Sequence, residues 1–179
     1  MLQIKIPDGE IFDEATSRII RIKGRELQLE HSLVSISKWE SKWKKPFLGP
    51  KPKTREETID YIRCMTITQN VDPLVYHCVN NSIVYQVNAY IDDPMTATTF
   101  RKKQNKNNNQ IITSEIIYYW MISLEIPMEC QRWHLNRLLT LIRVCDEKNQ
   151  PGKKMSKRDV MSQYRSINAA RRRSSGTRG

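Results

Sequence analysis

Cys130 and His134 come closest in this chain to a metal-binding pair. They lie four positions apart in a segment with helical periodicity, and that spacing would place them on one face of a helix. A zinc site needs about four ligands, usually including a CxxC or HxxxH pair, and neither motif occurs here. Cys64, His77 and Cys78 would join them only if the fold brought them close. We therefore predict no metal, no cofactor and no disulfide, with the cysteines as reduced thiols.

Catalytic motifs are also missing from the sequence. It contains no GxSxG elbow, no GxGxxG loop and no Walker loop. With only six glycines, the chain has no glycine-rich loop that could bind a phosphate group. The acidic pair Asp92–Asp93 precedes Pro94, which suits a helix stop better than a metal site. A Cys–His or Ser–His pairing among the three histidines stays open, but no motif supports it. We predict that the protein is not an enzyme.

Two tryptophans, Trp39 and Trp43, lie four positions apart among several lysines. Aromatic side chains between lysines can stack on the bases of single-stranded nucleic acid. The alternative is an amphipathic helix that buries its tryptophans and exposes its lysines to solvent. We favour the second interpretation, because Leu33 and Ile36 continue the same apolar face.

The net positive charge is concentrated near the C-terminal end. Residues 151–179 contain nine Lys/Arg and one acidic residue, whereas residues 1–150 contain 21 basic and 18 acidic residues. We therefore divide the chain into a nearly neutral body, 1–150, and a basic arm, 151–179. Such an arm suits a polyanion or an acidic protein surface. The candidate partner-binding residues are its basic side chains: Lys153, Lys154, Lys157, Arg158, Arg165, Arg171, Arg172, Arg173 and Arg178.

Size and composition favour one mainly helical domain that carries the arm. The chain has 179 residues, 39% of them hydrophobic, with four tryptophans and few glycines. That is enough apolar side chain for a core, and no apolar run approaches the roughly 18 residues of a membrane span. We predict a mainly α fold, with a small N-terminal antiparallel β unit, a helical body and a basic, partly disordered arm.

The pattern of apolar residues places the elements. Alternating Leu and Ile residues over 2–30 predict two or three short strands. Capping signals at Ser32 and at Thr54, with Glu57 three positions later, predict helix starts. Further helices are predicted over 83–91, within the apolar segment 111–127 as a buried helix that ends near Leu124, and as one long helix from 129 to 149. The apolar-free stretch 101–109 is predicted to be a solvated loop.

The apolar stripes of the predicted helices also define an expected core. It contains Ile59, Ile62, Ile116, Ile117, Trp120, Leu135, Leu138, Leu139 and Ile142. In the arm, Ser156 to Asp159 reads as a second capping box. It leads a helix whose apolar face is formed by Val160, Met161, Tyr164 and Ile167 and fades at Ala169–Ala170. Residues 171–179 are predicted to be disordered.

Long stretches of the chain resemble a family found in tailed phages. They are LEHSLVSISKWESKWKKPFLG, KTREETIDYIRCMTITQNVDP, VNAYIDDPMTATTF, IITSEIIYYWMISLEIPMECQRWHLNRLLTLIRVC and ARRRSSGTRG, which together cover most of residues 28–179. The family is that of the tail assembly chaperones of long-tailed, siphovirus-like bacteriophages. The loop at 101–109 and the start of the arm look more individual.

The resemblance implies an assembly factor without catalysis. Its expected partners are the tape measure protein, which it keeps soluble, and the tail tube protein, and self-association stays open. It would act in the host cytoplasm during phage assembly and be absent from the mature virion. The alternative, from the charge alone, is a basic nucleic-acid-binding protein or a structural virion component.

Overall fold

The computed structural model describes residues 1–13, 17–100, 111–149 and 157–175. Its contacts divide the chain into two units, Met1–Cys145 and Asp146–Gly179. The first unit is mainly helical, with small antiparallel β hairpins at its N-terminal end, and so confirms the predicted fold class. The predicted loop at 101–109 and the capping residue Ser156 lie outside the described residues.

Four strands form the β unit: β1 (Leu2–Ile6), β2 (Gly9–Asp13), β3 (Arg18–Ile22) and β4 (Arg25–Leu29). β1 pairs antiparallel with β4, and β2 with β3, so that one hairpin is nested within the other. Because successive side chains of a strand point to opposite faces, Ile4, Ile6, Leu27 and Leu29 all point into the core. The prediction missed β2, because Ile11 and Phe12 are adjacent and give no two-residue period.

Gly24 fills a position where the two pairs of strands come close together. A Cβ atom there would lie 2.3 Å from the carbonyl oxygen of Ile6 and 2.7 Å from the backbone nitrogen of Asp8. The Gly24 N–H also donates to the Asp8 carboxylate at 2.6 Å. Backbone packed this tightly accommodates only glycine.

Two capped helices follow the strands, α1 (Leu33–Trp43) and α2 (Arg55–Met65). Ser32 accepts the Ser35 N–H and Thr54 accepts the Glu57 N–H, and each forms a capping box. Both predicted helix starts are therefore confirmed. The proline-rich segment between the helices contains no helix.

The remaining elements of the first unit differ partly from the prediction. They are a 3-10 helix at Pro73–Cys78, α3 (Asn81–Asp92), α4 (Ser114–Ser123), a second 3-10 helix at Met128–Arg132, and the start of α5 (Leu135–Asn149). The predicted single helix from 129 to 149 is wrong. His134 forms a β-bridge with Ser32, and the Leu135 N–H donates to the His31 carbonyl at 2.8 Å. These long-range bonds take residues 133–134 out of the helix.

Five of the nine predicted core residues are buried: Ile62, Ile117, Leu135, Leu138 and Ile142. Ile59, Trp120 and Leu139 are partly buried and pack against the core. Ile116 is half-buried at the side of α4. Most of the core residues come from helices and strands outside the predicted set; Trp39 of α1 and Leu27 of β4 are two examples.

The second unit contains α6 (Lys157–Ser175). The helix runs past Ala170 through Arg171, Arg172 and Arg173. The prediction of disorder from 171 onward is therefore wrong as far as Ser175, and residues 176–179 lie outside the described residues. Arginine and alanine are strong helix formers, and this propensity outweighs the repulsion between neighbouring arginines.

Candidate partner-binding helix

The basic side chains predicted to bind a partner are distributed along α6 and its flanks. Arg165, Arg171 and Arg172 are exposed on the helix. The backbone also places Lys157, Arg158 and Arg173 on α6. Lys153, Lys154 and Arg178 lie outside the described residues.

Three large apolar side chains of α6 face solvent. The exposed fractions are 59% for Met161, 62% for Tyr164 and 41% for Ile167. A spacing of three residues turns each about 60° from the one before, so the three lie within about 120° around the helix axis. Arg165 and Arg172 lie along one side of this stripe, next to Met161, and Arg171 continues its line. The helix therefore presents an apolar stripe and positive charge together, an arrangement that suits contact with another protein.

The tryptophan–lysine pattern of α1 belongs to the junction between α1 and α2. Trp39 is 1% exposed and donates its indole N–H to the Glu57 carbonyl at 2.9 Å. Trp43 donates to the Asp60 carboxylate at 2.9 Å. Lys42 forms an ion pair with the same carboxylate. The favoured interpretation, an amphipathic helix that buries its tryptophans and exposes its lysines, is confirmed for Trp39, whereas Trp43 is only partly buried against the core.

The charges at this junction also lower two pKa values. The hydrogen bond from Lys45, followed by that from the Thr54 backbone, lowers the pKa of Glu57. At Asp60, burial raises the pKa, but the hydrogen bonds from Lys42 and Trp43 outweigh it and leave the pKa lowered. Both carboxylates therefore stay ionised against their lysines, which are engaged in ion pairs within the fold.

The Cys130–His134 pair does not form a metal site. Cys130 lies in the second 3-10 helix and His134 in the bridge before α5, so they share no helix. The His134 Nε2–H donates to the Tyr90 carbonyl at 3.0 Å, and Nδ1 accepts the Asn136 N–H at 3.3 Å. Both ring nitrogens are occupied. Within the described part of the chain, no three His, Cys, Asp or Glu side chains are grouped so as to hold a metal ion.

A second histidine, His31, is the centre of a buried polar cluster. Its Nδ1 lies 2.5 Å from the Tyr61 hydroxyl, and its ring packs edge-on against His134 at 5.0 Å between centroids. Burial, followed by the charges of His134 and Lys53, lowers the pKa of His31 to about 3. His31 is 1% and Tyr61 2% exposed. The buried imidazole and its backbone carbonyl join the residues before α1 to α2 and to the start of α5.

One exposed surface was missed by the sequence analysis. α4 was predicted to be buried, yet Tyr119 is 66% and Ile122 67% exposed. The signal that could have revealed this is Glu115 and Ser123, polar residues on the same side of the helix as Tyr119.

None of the described helices is both long and apolar enough to cross a membrane. No protein-family model, no curated protein and no solved structure matches this chain.

Proposed function

We propose that this chain is a non-catalytic tail assembly chaperone of a long-tailed phage. It binds the tape measure protein, keeps that long helical protein soluble, and assists the assembly of tail tube subunits around it. It acts in the host cytoplasm and leaves before the virion is complete. The proposal rests on the resemblance of most of residues 28–179 to that family and on one observation, the exposed apolar stripe with arginines beside it on α6.

The stripe supports the proposal because of what a tape measure protein needs. A long helix that awaits its tube exposes apolar side chains and tends to aggregate. Met161, Tyr164 and Ile167 can cover part of such a stripe by helix-to-helix packing, since all three are exposed.

The arginines beside the stripe add long-range attraction. Arg165 and Arg172 are exposed, and positive charge speeds encounter with acidic segments of a partner. The apolar side chains would then set how long the complex lasts, because burial of apolar surface acts mainly on dissociation.

The test is co-expression of full-length protein with the tape measure protein of the same phage, followed by affinity purification. Tyr164→Asp combined with Ile167→Asp should reduce recovery of the partner about tenfold or more, since it places charge in the stripe. The control is Ser162→Asp, an exposed position about 160° around the helix from Tyr164. It adds a charge to the same helix and should leave recovery unchanged.

Equal recovery with both variants would contradict the proposal. Retention on DNA that falls steeply with salt and survives the double substitution would favour the nucleic-acid alternative. Mass spectrometry of purified virions that finds the chain in the finished particle would favour a structural component.

A further inference from the structure

Residues 111–131, which include α4, form an acidic and apolar segment in a basic protein. The chain has 30 Lys+Arg and 19 Asp+Glu, but this segment contains three carboxylates, Glu115, Glu125 and Glu129, and no Lys or Arg. All three carboxylate side chains are exposed. The local charge is therefore opposite to that of the arm.

The helix within this segment, α4, has apolar side chains around most of its circumference. The rest of the first unit covers only part of them. Seven of the ten residues of α4, SEIIYYWMIS, are large and apolar. Ile117 and Met121 are buried, whereas Tyr119 and Ile122 are 66% and 67% exposed. A helix that is apolar all round is normally buried all round, so the outer side has the composition of an interface.

α4 is also held in a fixed position. Its first N–H, that of Ser114, donates to the buried Glu40 carboxylate at 2.8 Å. After its end, the Ile126 N–H donates to the Met121 carbonyl at 2.8 Å, and the Tyr118 hydroxyl donates to Gln131 at 2.9 Å. A surface on a fixed helix loses little conformational entropy when a partner binds.

We propose that the outer face of α4, formed by Tyr119 and Ile122 with Glu115 one turn before Tyr119 and Glu125 just after the helix end, binds a basic amphipathic helix of another protein. The exposed apolar pair supplies the contact, and the carboxylates select a partner whose apolar stripe is flanked by Lys or Arg. Two α4 faces would bring like charges together, which disfavours a symmetric pairing of α4 with the α4 of a second copy. This inference concerns a different helix from the proposed function and does not depend on it.

The test uses the full-length protein carrying Tyr164→Asp and Ile167→Asp, so that the α6 stripe does not bind the probes, and two synthetic helices that share one leucine stripe. One helix has lysines beside the stripe and the other has glutamates. Fluorescence anisotropy should show the lysine helix binding about tenfold or more tightly than the glutamate helix, with a difference that shrinks as salt rises.

Substitutions then locate the binding surface. Tyr119→Ser with Ile122→Ser should weaken binding of the lysine helix about tenfold. Glu115→Lys with Glu125→Lys should reverse the preference between the two helices. Tyr85→Ser on α3 is the matched control, since Tyr85 is an aromatic side chain that is 76% exposed. It should change nothing, and thermal melts should show that every variant remains folded.

Three results would overturn the proposal. The first is that the two helices bind equally tightly, or that neither binds. The second is that the serine substitutions leave binding of the lysine helix unchanged. The third is that sedimentation shows an oligomer of the full-length protein and that Ile122→Ser dissociates it. The last result would mean that a second copy covers this face.

Discussion

The Glu40 carboxylate on α1 accepts the Ser114 N–H at the start of α4 at 2.8 Å, although 74 positions separate the two residues. Its other oxygen accepts the Phe47 N–H at 2.7 Å. Thr113, the N-cap residue of α4, makes no side-chain capping bond. Glu40 takes over the role of a cap and at the same time holds the connector after α1. The helix that carries the proposed α4 surface is thus positioned by a residue of α1.

Replacing Glu40 with Ala should therefore destabilise the body strongly. The side chain is 8% exposed, and its loss leaves two backbone N–H groups without their acceptor. We expect a loss of about 2–5 kcal/mol in the free energy of unfolding, measured by urea denaturation. Glu129→Ala, at an exposed glutamate, is the control and should change stability by less than about 0.5 kcal/mol. An equally small effect of Glu40→Ala would show that α4 is positioned without this carboxylate.

His31 should make the stability depend on pH. Burial, followed by His134 and Lys53, lowers the pKa of His31 to about 3 in the folded state, whereas the unfolded chain takes up the proton near pH 6.5. Between these values the unfolded state binds more protons, so stability rises with pH. The contribution is complete above about pH 6.5 and is lost progressively as the pH falls towards about 3.

Denaturation at pH 7 and pH 5 measures this effect. The His31 contribution should fall by about 2 kcal/mol between these two values. His31→Gln should remove that part of the dependence, whatever it does to stability at pH 7, and His77→Gln, at an exposed histidine, should retain it. A His31→Gln variant with the same slope as the original protein would contradict the prediction.

Leu138 tests the packing of α5. It is fully buried, so Leu138→Ala should cost about 2–5 kcal/mol of unfolding free energy. Leu139 is only partly buried, and Leu139→Ala on the same helix should cost clearly less. A cost below about half a kcal/mol for Leu138→Ala would show that this side of α5 is not core.

The sequence predicted features that depend on neighbouring residues better than contacts between distant parts of the chain. Ser32 and Thr54 were identified as caps because each bonds a residue three positions away. The bridge from His134 to Ser32 and the bond from Ser114 to Glu40 join distant parts of the chain. No periodicity encodes them, so the start of α5 was placed too early. The same limit applies to the surface: composition alone predicted α4 to be buried, and only packing shows which side the body covers.

The last prediction concerns the end of α6. Truncation after Ala170 removes Arg171, Arg172, Arg173 and Arg178 but no apolar side chain. The free energy of unfolding of the body should stay unchanged, because little apolar burial is lost. If the arm recruits the tape measure protein, the truncated protein should bind it with a slower association rate. The difference should shrink as salt rises, since charges more than about 8 Å apart are screened at physiological ionic strength.

A full-length variant in which the same four arginines are replaced by glutamine separates charge from length. It should associate as slowly as the truncated protein, because both lack the same positive charge. If it instead binds as fast as the original protein, the helix end acts through its length and not its charge. If both variants lose retention on DNA but keep the original association rate for the protein partner, the arm serves nucleic acid. Unchanged behaviour of both variants in both assays would leave the arginines only a solubilising role.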